Sequence, residues 1–227
     1  MKNTIFFAAL LTLLTSLSAS AQINLGIRTG LNFNTIKATE GLEAITPDYK
    51  SITAFNVGAV SEFEFGDYFA VQPELSYTVK GFRLKEQMDV NIFDLPIPIG
   101  AEVISKFGYL EMPLLLKGKI GNEVAKAYVI AGPAFGYATG GHLTTRAKAF
   151  FEFDLFDTKI DLDQVGYERW EVSGVVGAGA EFKIPSGKIF FDARYQHGFT
   201  ELYDIPFVNE QWKNQGISVN AGYMLSF

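Results

Sequence analysis

A period-two alternation of apolar with small or polar residues recurs along the chain, and it is most regular at the C-terminus. From Gly216 to Phe227 one parity is apolar throughout, whereas the other is small or polar except at Met224. Such alternation is typical of a β-strand whose two faces meet different surroundings. The apolar parity consists of Ile217, Val219, Ala221, Tyr223, Leu225 and Phe227.

Seven earlier segments repeat this pattern, and the first follows Gln22. The eight strands are expected at about 23–33, 54–65, 68–82, 107–118, 126–138, 171–182, 188–199 and 216–227. The connections alternate in length: long at about 34–53, 83–106, 139–170 and 200–214, and short at 66–67, 121–122 and 185–187. The short ones contain the turn-forming residues Gly, Asp, Asn and Pro. Both termini and all three tight turns therefore fall at one end.

This organisation predicts an all-β fold, an eight-stranded antiparallel up-and-down transmembrane β-barrel, because outer-membrane barrels combine short turns at one end with long loops at the other. A secreted soluble barrel has the same strand count. The polar parity of the last strand argues against it, since a water-facing surface would carry Lys and Glu rather than Gly, Ser and Asn. Small residues suit the crowded interior of a narrow barrel.

The first 21 residues differ from the rest of the chain. Lys2 precedes an apolar run from Ile5 to Leu14 and then the small residues Ser18 to Ala21. This is the order of a secretory signal peptide, and the apolar run is too short for a membrane-spanning helix. We therefore predict a cleaved signal peptide, 1–21, and an outer-membrane β-barrel domain, 22–227.

Charged residues interrupt the inner parity of the predicted strands, where both signs occur. We expect these side chains to form a polar network of ion pairs in the lumen. Either the network simply packs the barrel interior, as narrow barrels require, or it lines a narrow ion or proton path. The predicted set is Arg28, Glu62, Glu64, Glu74, Lys80, Glu111, Lys117, Glu171, Glu181, Asp192 and Arg194.

Aromatic residues cluster near both ends of the predicted strands. Such girdles mark the two membrane interfaces of transmembrane barrels. On the side of the tight turns they are Phe63, Phe65, Tyr68, Phe69, Phe182 and Phe227. On the side of the long loops they are Phe33, Phe55, Tyr77, Phe107, Tyr137, Tyr195 and Phe199.

Few residues offer catalytic or metal-binding chemistry. The chain has no cysteine and two histidines; His197 is followed by Gly198 and Phe199, and His142 is followed by threonines but no serine. A nucleophile, a base and an orienting group cannot be assembled from these surroundings. The aspartates between Asp154 and Asp163 lack the Gly and terminal Glu of a calcium loop. We predict no catalytic, cofactor or metal site and no enzyme activity.

The third long connection is rich in phenylalanine. Its alternation from Ala149 to Phe156 predicts a hairpin that extends strands five and six beyond the membrane. The side chains of Phe150, Phe151, Phe153 and Phe156 would then form a contact patch for a partner or ligand. Alternatively they pack against the other loops as a lid.

Two resemblances add to this reading. The C-terminal residues Gly222, Tyr223, Leu225 and Phe227 resemble the signal that outer-membrane barrels present to the barrel assembly machinery, which would pair with the free edge of the last strand. The chain also resembles the PorT-like outer-membrane β-barrel proteins of Bacteroidota. The resemblance is carried by 26–32, 72–75 with 80–81, 109–115 and 131–136. It implies that Pro73, Pro113 and Pro133 are tolerated inside strands, and we expect β-bulges there.

These observations predict an outer-membrane protein of a Gram-negative bacterium that is structural or binds a partner through its long loops. A narrow solute pore and a lipid-modifying enzyme remain as alternatives. The expected partners are outer-membrane lipids, the assembly machinery and an envelope protein that the sequence does not identify. Nucleic acid is not expected, because the formal net charge is −6.

Overall fold

A computed structural model gives the fold, and the residues that it describes are 22–37, 49–92, 95–148, 152–162, 164, 166–200 and 213–227. At 37, 49, 85–92, 95–101, 146–148 and 152–157 only the backbone is described. The predicted signal peptide lies outside the described residues. Within them, no helix is long and apolar enough to cross a membrane.

The described residues form nine β-strands. They are β1 (Gln22–Lys37), β2 (Tyr49–Phe65), β3 (Phe69–Ile92), β4 (Leu95–Gly121), β5 (Ala125–Lys148), β6 (Glu152–Ile160), β7 (Trp170–Ile184), β8 (Gly187–Gly198) and β9 (Lys213–Ser226).

Eight of these strands close into an antiparallel barrel, as the sequence predicts. Around the barrel the order is β1, β2, β3, β4, β5, β7, β8 and β9, and β9 pairs with β1 to complete the circle. The closing register places Asn24 opposite Ser226, and the backbone amide of Phe227 donates to the carbonyl oxygen of Ile23 at 2.9 Å. The terminal residue is therefore part of the closing seam.

Tight turns join the strands at one end, which we call the turn end; the opposite end is the loop end. Gly66 has φ of +68°, a left-handed conformation that glycine adopts without steric cost. The side-chain oxygen of Asn122 accepts hydrogen bonds from the amides of Val124 and Ala125, so this turn is built by an Asn side chain.

At the loop end, β3, β4, β5 and β6 continue as a four-stranded sheet, which we call the loop-end sheet. The pairing of β3 with β4 runs from Phe69 opposite Gly118 to Ile92 opposite Leu95. A barrel strand needs only about 9–11 residues to cross a membrane. The predicted connection 83–106 is therefore wrong as a loop, because most of it extends a β-hairpin.

The sheet also reaches the predicted hairpin in the third connection. β5 pairs with β7 up to Tyr137 opposite Trp170, and from Gly141 onward it pairs with β6 instead. A ninth strand thus replaces β7 as the neighbour of β5 beyond the barrel.

The two faces of the barrel wall differ as the alternation predicts. The outward parity is apolar and exposed, which matches a surface that lipid rather than water covers. Its members include Leu25, Ile27, Leu31, Phe55, Val57, Leu75, Leu110, Met112, Leu114, Leu116, Val129, Val176, Phe191, Ile217 and Val219.

Two local expectations are wrong. The register is the same on both sides of Pro73, Pro113 and Pro133, so these prolines interrupt individual ladder bonds without a bulge. The irregularities lie elsewhere, one of them between Gly108 and Tyr109. Phe107 is also misplaced in the loop-side girdle, because it shares the inward parity of Tyr109 and is buried in the lumen.

Candidate functional site

The barrel lumen holds most of the buried charge of the described residues, arranged at three levels. The inner network, nearest the turn end, consists of Glu62, Glu64, Lys117, Lys119, Glu181 and Lys188. Lys117 Nζ lies 2.7 Å from a carboxylate oxygen of Glu62 and 2.7 Å from one of Glu181. Three carboxylates face three ammonium groups, so this level is formally neutral.

The middle network contains two guanidinium groups that share one carboxylate. Arg28 Nε and Arg194 Nη1 lie 2.8 Å and 2.9 Å from the same oxygen of Glu74. Arg194 also donates two hydrogen bonds of 2.8 Å to the carboxylate of Asp192. Asn220 donates to Asp192 and accepts from Arg28, which joins the charges into one hydrogen-bonded unit.

The outer network lies nearer the loop end and carries one more carboxylate than cation. Lys80 contacts both Glu111, at 2.7 Å, and Glu171. The amide of Gln196 donates to Glu111 at 2.8 Å, and the amide of Asn214 donates to Glu171. These neutral donors stabilise the excess negative charge that a single lysine leaves at this level.

An apolar cap closes the lumen beyond the outer network. Tyr167, which follows β6, is 5% exposed and stacks on Phe107 with ring centroids 4.5 Å apart. Its hydroxyl group is hydrogen-bonded to that of Tyr109, whose ring lies 4.9 Å from Lys80 Nζ. The cap consists of Ile36, Phe82, Phe107, Tyr109, Ala138, Leu162 and Tyr167.

A cavity lies at the turn end of the lumen. It has a volume of about 450 Å³ and is lined by polar and charged residues that include Glu64, Lys126 and Lys188. Between Lys80 and Asn34 a void of about 10 Å³ remains, room for a single water molecule. The turn-end cavity borders the inner network, because Glu64, Glu181 and Lys188 line it.

Ion pairs offset the free-energy cost of burying these charges in the lumen. Removing a charge from water costs several kcal/mol, and close opposite charges with additional hydrogen bonds offset that cost. The carboxylate oxygens of Glu62, Glu64 and Glu181 lie within 4.8 Å of one another, a spacing that a metal ion could bridge. Three lysine ammonium groups already provide the compensating positive charge at this place.

The structure gathers the predicted lumen residues into separate networks. Glu62 lies in the inner network, Arg28, Glu74, Asp192 and Arg194 lie in the middle one, and Glu111 lies in the outer one. Lys119 and Lys188 were not among the predicted charges, although both lie on the inward parity at the turn end. Parity indicates Lys119 once the strand is extended to its observed end at Gly121, whereas Lys188 lies within the predicted strand 188–199.

The predicted contact patch is only partly described. Phe150 and Phe151 lie outside the described residues, and for Phe153 and Phe156 the backbone alone is described, as part of β6. Among the described residues, Leu162 and Tyr167 lie over the loop-end mouth, and no periodic pattern in the sequence indicates them.

The residues of the proposed assembly signal lie on β9. Leu225 and Phe227 point outward and are exposed, Phe227 by 73%. Gly222 faces the lumen opposite Arg28, and a Cβ atom at this position would overlap the ring of Phe190. The histidines do not meet each other: His197 lies 3.5 Å from the hydroxyl group of Tyr195, and His142 lies opposite Lys106 on the loop-end sheet.

A family model described as "Outer membrane protein beta-barrel domain" matches residues 16–204. One similar solved structure is that of Ail, the attachment invasion locus protein of Yersinia pestis, in complex with the heparin analogue sucrose octasulfate. The two sequences are 16% identical; the match covers 90% of this chain and 99% of that chain, with a TM-score of 0.38. No curated protein matches the chain.

Two further solved structures are similar. OprG from Pseudomonas aeruginosa is 13% identical, with 92% of this chain and 98% of that chain covered and a TM-score of 0.40. The outer membrane protease OmpT from Escherichia coli is 12% identical, with 91% and 97% covered and a TM-score of 0.36.

Proposed function

The chain belongs to the outer membrane protein beta-barrel domain family, and from that premise we propose that it is a closed, non-enzymatic barrel in the outer membrane of a Gram-negative bacterium, where it presents the loop-end sheet to an envelope partner. The observation that carries this proposal is the continuation of β3 and β4 to Ile92 and Leu95, far beyond the length that a membrane requires. A long ordered hairpin outside the membrane is a rigid support for a contact surface.

Ion pairs at three levels and the cap support a barrel that does not conduct. Each level connects at least three strands; in the middle network, for example, Arg28 from β1 and Arg194 from β8 both contact Glu74 on β3. An ion would have to displace these paired charges and then pass the stacked rings of Phe107 and Tyr167. Side chains usually fill the interior of eight-stranded barrels in the same way.

Within the family, we place this chain with the PorT-like proteins of Bacteroidota, on the segments that carry that resemblance. A signal peptide cleaved after Ala21 would export it, and the free edge of β9 would pair with the assembly machinery before β1 closes the barrel. Membrane lipids would then cover the outward apolar parity.

A photoreactive amino acid at Thr158 tests the presentation of the sheet, because this residue of β6 is exposed. On intact cells we expect one protein adduct of defined mass. The adduct should disappear when 84–103 are replaced by Asn-Gly, although Thr158 itself is retained. A photoreactive group at Leu114, on the lipid-facing parity, is the matched control and should give no such adduct. An adduct that survives the replacement would contradict the proposal.

A narrow solute pore is the second candidate, and the cavity of about 450 Å³ at the turn end favours it. Purified protein in planar bilayers distinguishes the two functions. The proposed closed barrel should give no stepwise conductance above background, whereas a pore should. A lipid-modifying enzyme would instead give new lipopolysaccharide products in mass spectra that depend on His142 or His197.

A further inference from the structure

Three basic residues lie side by side on the outward face of the loop-end sheet. Lys106 on β4 is directly opposite His142 on β5, which is directly opposite Lys159 on β6. Residues paired in this way have Cα atoms about 4.5–5.5 Å apart and side chains on the same face. All three side chains are exposed. We call them the basic row.

The basic row continues the lipid-facing surface. On β4 the outward parity runs through Leu116, Leu114, Met112 and Leu110, all exposed and apolar, then through Gly108 to Lys106. Lys106 thus lies four positions beyond Leu110, the last exposed large apolar residue of this parity, which is about 13 Å along the strand. With the usual tilt of barrel strands, the rise along the membrane normal is about 10 Å.

Aromatic residues lie at the intervening level. The hydroxyl group of Tyr77 lies beside Gly108, and Tyr137 packs edge-on against Trp170 with ring centroids 4.9 Å apart. Tyr and Trp concentrate where the hydrocarbon of a membrane meets its headgroups. The basic row, one step further out, therefore lies at the height of the lipid headgroups.

The basic row is a local cluster of basic residues in a chain whose formal net charge is −6. Lys50 extends the row's positive charge onto β2, where it is exposed and opposite Arg83. Arg83 itself contacts Glu102 at 2.9 Å, so that pair is compensated. On the strand end beside Lys159, Asp161 accepts a hydrogen bond from Gln164.

We propose that the basic row binds the phosphate groups of a phosphorylated glycolipid in the membrane leaflet at the loop end. Lysine ammonium groups bind phosphate as compact point charges, and the position of the row brings them to lipid headgroups rather than to free solutes. The acyl chains of the same lipid would lie against Leu110 and Met112.

The test uses native mass spectrometry of the full barrel in phosphatidylcholine nanodiscs. It measures the affinity of the barrel for added lipid A. Three proteins are compared: wild type, Lys106→Gln/Lys159→Gln, and a control at the turn end, Lys126→Gln/Lys183→Gln, which removes the same charge. A basic residue near a membrane surface contributes about 1 kcal/mol toward an anionic lipid. The double variant of the row should therefore bind about thirtyfold more weakly, and the control within about twofold of wild type.

Two further arms identify the ligand. Lipid A without its phosphates should bind to wild type as weakly as intact lipid A binds to the row variant. Millimolar inorganic phosphate should displace little lipid A. Equal binding by the row variant and wild type, equal binding of the dephosphorylated lipid, or ready displacement by inorganic phosphate would each overturn the proposal. Heat-modifiable gel mobility verifies that every variant is folded.

Discussion

The hydroxyl groups of Tyr109 and Tyr167 are hydrogen-bonded to each other inside the loop end of the lumen. Tyr109 belongs to β4, whereas Tyr167 lies 58 residues further along, between β6 and β7. This contact ties the segment that crosses the mouth to the barrel wall. The cap is therefore an integral part of the folded barrel.

Replacing Tyr167 by Ala should lower the free energy of unfolding by about 3–5 kcal/mol, because it empties the space beside Phe107. Tyr167→Phe keeps the stacked ring and loses only the hydrogen bond, so it should cost about 0.5–1.5 kcal/mol. Denaturant unfolding in detergent, followed by gel mobility, measures both. Tyr68→Ala removes an exposed tyrosine and serves as the control. Equal effects of all three substitutions would show that the cap adds nothing.

Replacing Lys117 by Met should destabilise the barrel by about 3–5 kcal/mol, because Glu62 and Glu181 then lose a buried counter-charge. Lys183→Met, which removes an exposed lysine at the same end, should change stability by less than about 0.5 kcal/mol. Denaturant midpoints of the two variants provide the comparison. A Lys117 variant as stable as the Lys183 variant would mean that the inner network contributes no net stability.

Replacing Gly222 by Val should prevent closure or destabilise the barrel by at least about 1–3 kcal/mol, since a side chain there overlaps the ring of Phe190. The second substitution Phe190→Ala should recover part of the loss by making room. The yield of heat-modifiable protein after refolding measures this. If Phe190→Ala gives no rescue, Gly222 is required for a reason other than the space that Phe190 fills.

Replacing Phe227 by Ala should reduce the amount of barrel assembled in cells but leave refolding into detergent nearly unchanged. The side chain is exposed, so its removal leaves no cavity, and the backbone bond to Ile23 is retained. Quantitative blots of membrane fractions, beside in vitro refolding yields, separate the two effects. Tyr68→Ala, which removes another exposed aromatic residue at the turn end, is the control. Equal assembly of both variants would contradict a role of Phe227 as an assembly signal.

Joining Arg83 to Ile104 through Asn-Gly should leave the barrel folded, because these two residues are directly opposite each other and a two-residue turn preserves their register. The free energy of unfolding should fall by less than it does in the Tyr167→Ala variant, because the cap is retained. Heat-modifiable mobility and denaturant midpoints test this. Loss of folding would show that the barrel depends on the loop-end sheet for its stability.

The fold follows from the sequence because burial has a period of two in every strand of the wall. Once Glu111 is placed inward, Leu110 and Met112 must face lipid, and no other information is needed. The inward position of Phe107 follows from the same rule, whereas its location near a strand end, taken alone, favours the girdle.

The extent of the loop-end sheet is harder to predict. Between Lys85 and Asp89 charged residues occupy both parities, and Pro96 and Pro98 follow shortly after. Beyond the membrane, the two faces of the hairpin no longer contact lipid on one side and a packed lumen on the other. The sequence there therefore lacks the alternation of apolar and polar residues. The cap is harder still to predict. Leu162 and Tyr167 are distant in sequence from Phe107 and Tyr109, so no local periodicity indicates that they pack together.

The hairpin of β3 and β4 grows at its tip, and this has an evolutionary consequence. Each pair beyond Arg83 and Ile104 adds height without altering any pair beneath it. Insertions or deletions of matched residues near the tip would therefore leave the wall, the ion pairs and the seam between β1 and β9 untouched. The outermost surface can thus vary in small increments while the membrane-embedded part stays constant.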